Sequence, residues 1–236
     1  VKQAFGIPSR VCYIGGCDRY IFRNPVQTAV ENVILGADVV CCQDVSLEEK
    51  DTEEKVIEKL AWSRASIDAV SEYLREKYPR IKVLGIAHGY LVEGDPKGSL
   101  ETYLREAEYI APMVDWVGVP TAPLTMKKSY EFINQLIREV ADTTRKDTIQ
   151  LMGGQAIPLL PIAAKIAKEK DVTLILEADT IGTYSRRRRV LTYDKGELRF
   201  APVYQMKNVK LDSVKEIFKF NLQAYKEALR SLADTI

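Results

Sequence analysis

The chain has 236 residues, of which 46% are apolar, and its 34 Lys and Arg nearly balance its 33 Asp and Glu. This composition favours one globular unit over a disordered or fibrous chain, and the net charge of +1 leaves any binding of a polyanion to local basic clusters. No apolar stretch approaches the roughly 18 residues of a membrane span and no targeting segment stands out, so we expect a cytoplasmic protein without a membrane partner. Cys41 and Cys42 are adjacent, where a bond between them would be strained, which also favours a reducing compartment.

In chain order, residues 11–22 predict a β-hairpin with a Gly-rich turn at 15–18. Apolar runs then alternate with amphipathic stretches. Helices are predicted at 25–35, 52–78, 100–111, 129–140 and 158–168, each followed by a strand, at 38–43, 82–87, 116–119, 149–152 and 173–176. A last helix with one apolar face is predicted at 211–232. Five strands that alternate with helices predict an α/β fold with a parallel sheet and right-handed crossovers.

Acidic residues follow two of these strands directly. Asp44 comes after the run at 39–43, and Glu177 and Asp179 come after the run at 172–176. Because α/β folds bind ligands at the carboxyl ends of their parallel strands, these positions predict a site, and we expect an enzyme.

Five motifs in order resemble those of the tRNA-guanine transglycosylase family, which exchanges guanine in RNA for a 7-deazaguanine on a TIM barrel. The stretch GADVVCCQD at 36–44 is similar to the family strand that ends in the Asp contacting the purine edge. LGIAHG at 84–89 resembles its FGIxQG strand, with His88 in place of Gln. The other three are WVGV at 116–119, LMGGQAIP at 151–158 and LTYD at 191–194, which resembles an LTxDG hairpin.

The resemblance implies a TIM (β/α)8-type barrel, of which this chain covers mainly the last five strand-helix units plus an N-terminal hairpin. We expect residues 1–236 to form a single transglycosylase-like domain that lacks N-terminal strands. Five strands do not close a barrel that needs eight. Either an upstream segment or a second chain, in a homo-oligomer or a complex, would complete it.

The chain departs from the family at the zinc site. The interval before the last helix has no Cys where the family has three, and Phe220 stands where the family has a His ligand. We therefore expect no metal site and no cofactor.

The resemblance, counted back from LTYD, puts Glu177 on the family's nucleophilic Asp. Asp179 is the alternative, because it has the family's shorter side chain and faces the same way if the strand continues. Base exchange needs such a carboxylate to attack the anomeric carbon and then to be displaced by the incoming base. The competing interpretation is that one acid caps a loop or pairs with arginine.

The base-binding residues implied by the resemblance are Asp44, His88 and the backbone N–H of Gly118 or Val119. Asp44 would accept hydrogen bonds from N1 and the 2-amino group of guanine, and His88 would donate to O6 as the family's Gln does. The structural alternatives are a helix cap for Asp44 and a satisfied polar residue for His88.

A basic run follows the last predicted strand and consists of Arg186, Arg187, Arg188 and Arg189. Such a run is often a solvated face, but beside a ribose site it is suited to backbone phosphates. Tyr90 and Trp116 would flank an extruded base, although Trp116 is also a candidate for the core.

The leading hypothesis is a pentosyltransferase that replaces guanine in nucleic acid by a 7-deazaguanine through a covalent carboxylate intermediate. The nucleic acid is tRNA or DNA, and the second partner is the 7-deazaguanine base. The alternative is an inactive partner subunit that binds nucleic acid or the base. A small-molecule lyase or aldolase on a similar barrel is the third, because fold alone does not fix function.

Overall fold

The computed structural model describes residues 14–15, 24–48, 50–121, 124, 129–153, 156–176, 185–194, 197–202, 211 and 213–235. The chain divides by its internal contacts into two compact units, and a single domain over 1–236 stays a prediction. The first unit comprises residues 1–120 and 136–150, and the second comprises 121–135 and 151–236.

Strands and helices alternate in both units. The first unit contains β1 (Ile14–Gly15), α1 (Pro25–Ile34), β2 (Val39–Cys41), α2 (Glu53–Lys77), β3 (Lys82–Ile86), α3 (Pro96–Ile110), a short 3-10 helix (Ala111–Met113) and β4 (Trp116–Pro120). The division between the units passes through α4 (Tyr130–Thr144) and β5 (Thr148–Met152). The second unit continues with α5 (Ala156–Lys170), β6 (Thr173–Leu176), β7 (Arg189–Asp194), β8 (Glu197–Pro202) and α6 (Val214–Thr235).

The sheet confirms the α/β prediction. In the first unit the hydrogen-bonded order of the strands follows the chain from β1 to β5, and the β1–β2, β2–β3 and β3–β4 pairs are parallel. β6 is the hydrogen-bonded neighbour of β5, and in the second unit β7 and β8 form an antiparallel hairpin where LTYD predicted one. All five predicted strands are present as β2 to β6. Closure into a barrel stays a prediction.

The predicted N-terminal hairpin needs a correction at Gly15. Ile14 and Gly15 pair in parallel with Val39 and Val40, so Gly15 is a strand residue and does not lie in the turn. The physical reason is that β2 is fully buried and its backbone groups need partners on both sides, which outweighs the turn preference of a glycine. The other residues of the predicted hairpin lie outside the described part.

Local capping explains where the helices begin. The Asn24 side chain accepts hydrogen bonds from the N–H groups of Val26 at 2.9 Å and Gln27 at 3.2 Å, and Pro25 fixes the first helical φ of α1. At α6 the Ser213 hydroxyl accepts from the Glu216 N–H at 3.2 Å, and the Glu216 carboxylate accepts from the Ser213 N–H at 2.9 Å. This reciprocal pair is a capping box.

Close packing of helices on the sheet fixes the strand ends. A Cβ added at Gly85 in β3 would lie 2.7 Å from a methyl group of Val114, so the glycine permits an approach that another residue would block. The buried face of α2 contains Ser63, Ser66 and Ser71 beside its larger apolar residues. These small side chains let α2 lie close to the strands that carry Asp44 and His88.

Candidate functional site

Two of the predicted base-binding side chains meet in the first unit. Asp44 follows β2 and His88 follows β3, and these strands are parallel neighbours with Cys41 opposite Leu84. Both side chains therefore come from the carboxyl edge of the sheet. The His88 imidazole hydrogen-bonds the Asp44 carboxylate through Nε2 and Oδ2. The two side chains are 8% and 13% exposed, so the contact is largely removed from water.

The chemistry of this contact determines what the pair presents to a ligand. An ionised carboxylate only accepts hydrogen bonds, so His88 Nε2 carries the proton and donates it. In the neutral imidazole Nδ1 is then an acceptor. Neither His88 Nδ1 nor Asp44 Oδ1 has a hydrogen-bond partner in the part of the chain that the structure describes, and neither atom is sealed from solvent. The pair thus offers two polar atoms to a ligand.

Two neighbouring helices hold the loops that carry the pair. The hydroxyl of Ser63 in α2 accepts a hydrogen bond from the Val45 N–H at 3.1 Å, directly after Asp44. The hydroxyl of Thr102 in α3 accepts from the Tyr90 N–H at 2.9 Å and donates to the Tyr90 carbonyl at 3.0 Å, two residues after His88. No role for either hydroxyl was predicted from the sequence. The feature that could have indicated one is a Ser or Thr on the buried side of an otherwise amphipathic helix.

Gly89 gives this region its tight packing. A Cβ at Gly89 would lie 2.2 Å from the ring of Tyr103, which is 3% exposed. Burial raises the pKa of the Tyr103 hydroxyl to about 12, because the phenolate is poorly solvated there. The residue after His88 must therefore be glycine for α3 to pack as it does.

The structure also bears on the two structural alternatives. Thr52 caps α2 by accepting from the Lys55 N–H at 3.3 Å, so Asp44 is not the cap of that helix. His88 does have a polar partner in Asp44, as a merely satisfied histidine would. Its Nδ1 atom is what remains for a ligand.

Gly118 and Val119 lie inside β4, and both are buried. The Gly118 carbonyl accepts from the N–H of Ala87, the residue before His88, at 2.8 Å. Gly118 and Val119 of β4 therefore lie next to the end of β3, which His88 follows. Direct contact of their N–H groups with a base stays a prediction.

The predicted nucleophiles Glu177 and Asp179 lie outside the described residues. The last described strand before them, β6, ends at Leu176, and the roles of Glu177 and Asp179 stay predictions. Asn221, by contrast, lies in the described part of the second unit and contacts the basic run.

The basic run in the second unit passes from a helical residue, Arg186, through a turn at Arg187 and Arg188 to the start of a strand at Arg189. Arg186, Arg187 and Arg188 are exposed, and Arg189 opens β7. The Arg188 N–H donates to the Ser185 carbonyl at 3.0 Å, and Arg188 has a φ of 53°. The side chain of Arg188 also donates to the Leu211 carbonyl at 3.5 Å.

A cavity of about 640 Å³ lies between α2 and α3 in the first unit. Tyr90, Ile57 and Val92 contribute apolar surface, and the Arg64–Glu106 ion pair contributes charge. The Glu106 carboxylate raises the pKa of the Arg64 guanidinium through their hydrogen bond. Tyr90 lines this cavity, whereas Trp116 starts β4 at the opposite edge of the sheet, with the Lys82 ammonium 5.5 Å from its ring centre.

No group of three or more His, Cys, Asp or Glu suited to a metal ion occurs among the described residues, and no described helix is long and apolar enough to cross a membrane. The sequence matches no protein-family model, and a comparison with curated proteins gives no match.

Proposed function

We propose that the protein is a base-exchange glycosyltransferase that replaces guanine in nucleic acid by a 7-deazaguanine. Asp44 and His88 recognise the base, Glu177 or Asp179 is the nucleophile, and Arg186 to Arg189 bind backbone phosphates. A TIM-type barrel belongs to the same proposal, and the nucleic acid is tRNA or DNA.

The observation that carries the proposal is the contact between Asp44 and His88. The motif resemblance assigns both residues to the recognition of one base, although 43 residues separate them in the chain. Their side chains touch at the carboxyl edge of neighbouring parallel strands, and each keeps one atom open to a ligand. α/β folds bind ligands at this edge, which supports recognition of a small planar heterocycle.

The reaction follows from the carboxylate chemistry. The nucleophile attacks C1′ of the nucleotide, the C1′–N9 bond breaks, and its electron pair leaves with the guanine, which takes up a proton. N9 of the incoming 7-deazaguanine then attacks C1′, the ester bond breaks, and N9 loses its proton. One proton is gained and one is lost, so no external reductant or oxidant is needed.

Exchange of labelled 7-deazaguanine into tRNA and into duplex DNA tests this proposal. Glu177→Ala or Asp179→Ala should abolish incorporation, whichever residue is the nucleophile. Asp44→Asn should lower kcat/KM by about 10- to 100-fold, because one carboxylate oxygen is replaced by a donor that opposes the N–H groups of guanine. Asp68→Asn, on the exposed face of α2, is the matched control and should leave exchange unchanged.

Two other results would contradict the proposal. Binding of nucleic acid or base without incorporation would make the chain the inactive partner subunit that the resemblance leaves open. Absence of both binding and incorporation would remove the transglycosylase interpretation and leave a small-molecule enzyme.

A further inference from the structure

One buried amide on α6 contacts both ends of the arginine turn. Asn221 is 0% exposed. Its Oδ1 accepts a hydrogen bond from the Leu191 N–H at 2.6 Å, and its Nδ2 donates to the Ser185 hydroxyl and to the Arg189 carbonyl, each at 3.0 Å. Ser185 precedes the three exposed arginines and Arg189 follows them.

These three hydrogen bonds tie the turn to the body of the second unit. Ser185 is 0% exposed, Val190 is 0% and Leu191 is 1%, so the groups that Asn221 contacts lie in a dry environment. A buried amide bonded on both its oxygen and its nitrogen is costly to replace, because apolar substitutes leave the partner N–H and C=O groups unsatisfied. The sequence between the two anchors has little freedom, since the Arg188 N–H also closes the turn onto the Ser185 carbonyl.

We propose that Asn221 is a positioning residue for nucleic-acid binding: it holds Arg186, Arg187 and Arg188 in a preformed arrangement that contacts consecutive backbone phosphates. This inference rests on the proposed function for the identity of the ligand. Asn221 itself makes no contact with the nucleic acid. Its effect is to remove the ordering cost that a mobile arginine loop would incur on binding.

The inference has a measurable signature in the salt dependence of binding. Each phosphate contact releases counterions, so the slope of log Kd against log salt concentration counts the contacts. Arg187→Ala should lower this slope by about 0.7 on single-stranded nucleic acid or about 0.9 on duplex DNA. Asn221→Ala removes no charge, yet it should lower the slope by about 1.5, because the guanidinium groups no longer match the phosphate spacing together. Affinity at low salt should fall at least about tenfold.

The experiment measures fluorescence anisotropy of labelled tRNA, single-stranded RNA and duplex DNA against salt, with the active fraction of each variant fixed by stoichiometric titration. Asn32→Ala, which also removes a buried amide, is the matched control and should keep the wild-type slope, because Asn32 belongs to α1 and donates to the Thr28 carbonyl of the same helix. Ser185→Ala removes one of the three Asn221 contacts and should give an intermediate slope. Ser185→Ala replaces Asn221→Ala in the experiment if circular dichroism shows that Asn221→Ala is unfolded.

A wild-type slope in folded Asn221→Ala overturns the inference. If Asn221→Ala does not fold, a wild-type slope in Ser185→Ala overturns it instead. The reason is that a purely structural role lowers the active fraction without changing the number of phosphate contacts. An unchanged slope in Arg187→Ala, or a wild-type protein that binds none of the three nucleic acids, overturns it as well. Binding with the expected slopes but without base exchange supports the role of Asn221 and removes only the proposed activity.

Discussion

At the scale of single residues, His88 differs chemically from the glutamine of the family that the sequence resembles. A glutamine amide is a neutral donor to a keto oxygen, whereas the Nε2–H group of His88 donates a hydrogen bond to Asp44, and Nδ1 is an acceptor in the neutral state. The neutral pair therefore suits a donor on the ligand, and only the imidazolium form, in which both ring nitrogens donate, suits the O6 atom of the proposed base.

His88→Gln should reverse this preference. We expect the variant to bind 7-deazaguanine about fivefold more tightly than the wild type, and to bind its 6-amino analogue, 7-deaza-2,6-diaminopurine, more weakly, because the amide donates to O6. Isothermal titration with both bases measures the change. His88→Asn, whose amide is one methylene shorter, is the control and should gain nothing. Equal weakening of both bases by His88→Gln would show that His88 does not face position 6.

Sequence reasoning at this scale placed Asp44 and His88 at the ends of strands but did not predict their mutual hydrogen bond. Strand-end positions follow from the apolar pattern, which the chain shows locally. The contact itself depends on the register of β2 against β3, with Cys41 opposite Leu84, and on both rotamers, and these are set by tertiary packing.

At the scale of elements, an ion pair joins two helices beside the site. Arg64 in α2 donates to Glu106 in α3 through Nε at 3.0 Å and also through Nη2. The Glu106 side chain is 6% exposed and the Arg64 side chain 32%. The Arg64 guanidinium also lies 4.4 Å from the ring centre of Tyr109. Removal of one partner therefore leaves a partly buried charge unsatisfied.

Glu106→Ala should lower the free energy of unfolding by about 1–3 kcal/mol, less than for a fully buried pair because water reaches Arg64. Urea denaturation measures the effect. Glu101→Ala, on the same helix, removes an exposed partner of Lys97 at 3.9 Å and should change stability by less than about 0.5 kcal/mol. Equal effects of the two substitutions would contradict the assignment of Arg64–Glu106 as a stabilising contact between α2 and α3.

The start of a helix was predictable where the sequence contains a capping residue followed by proline, as at Asn24-Pro25. The start of α3 was predicted four residues late, at 100, although Asp95 accepts from the Gly98 N–H and Pro96 opens the helix. Gly98 weakens the helical pattern there. Ile14 was predicted as a strand residue of a hairpin, but the parallel pairing of β1 with β2 was not predicted, because two residues carry no periodicity of their own.

At the scale of the whole molecule, the sequence predicted the α/β class and the alternation of strands with helices but not the division into two compact units. Alternation of strands and helices is a local pattern that also restricts topology. The division depends on which contacts cross residues 121–151, and no composition shift or linker marks it in the sequence.

The stability of the whole chain should fall at alkaline pH through Tyr103. Its pKa rises from 10.0 to about 12 on folding because of burial, so the folded state holds the proton more tightly than the unfolded state. The stability linked to this group is fully present below pH 10 and is lost as pH rises toward 12, by about 3 kcal/mol in total.

Urea denaturation of the wild type and of Tyr103→Phe at pH 8, 10 and 11 separates the contribution of Tyr103 to the free energy of unfolding from that of the other tyrosines. The difference in unfolding free energy between the two proteins should shrink or reverse as the pH rises. A constant difference would show that Tyr103 ionises equally in both states.

The adjacent thiols of β2 have a practical consequence. Cys41 is 6% exposed and Cys42 is 1% exposed, and both are thiols that form no disulfide bond. An alkylating reagent in water reaches these sulfurs only while the strand has left its neighbours. The rate at which iodoacetamide modifies Cys41 and Cys42 therefore reports how often this sheet, from which Asp44 extends, opens locally.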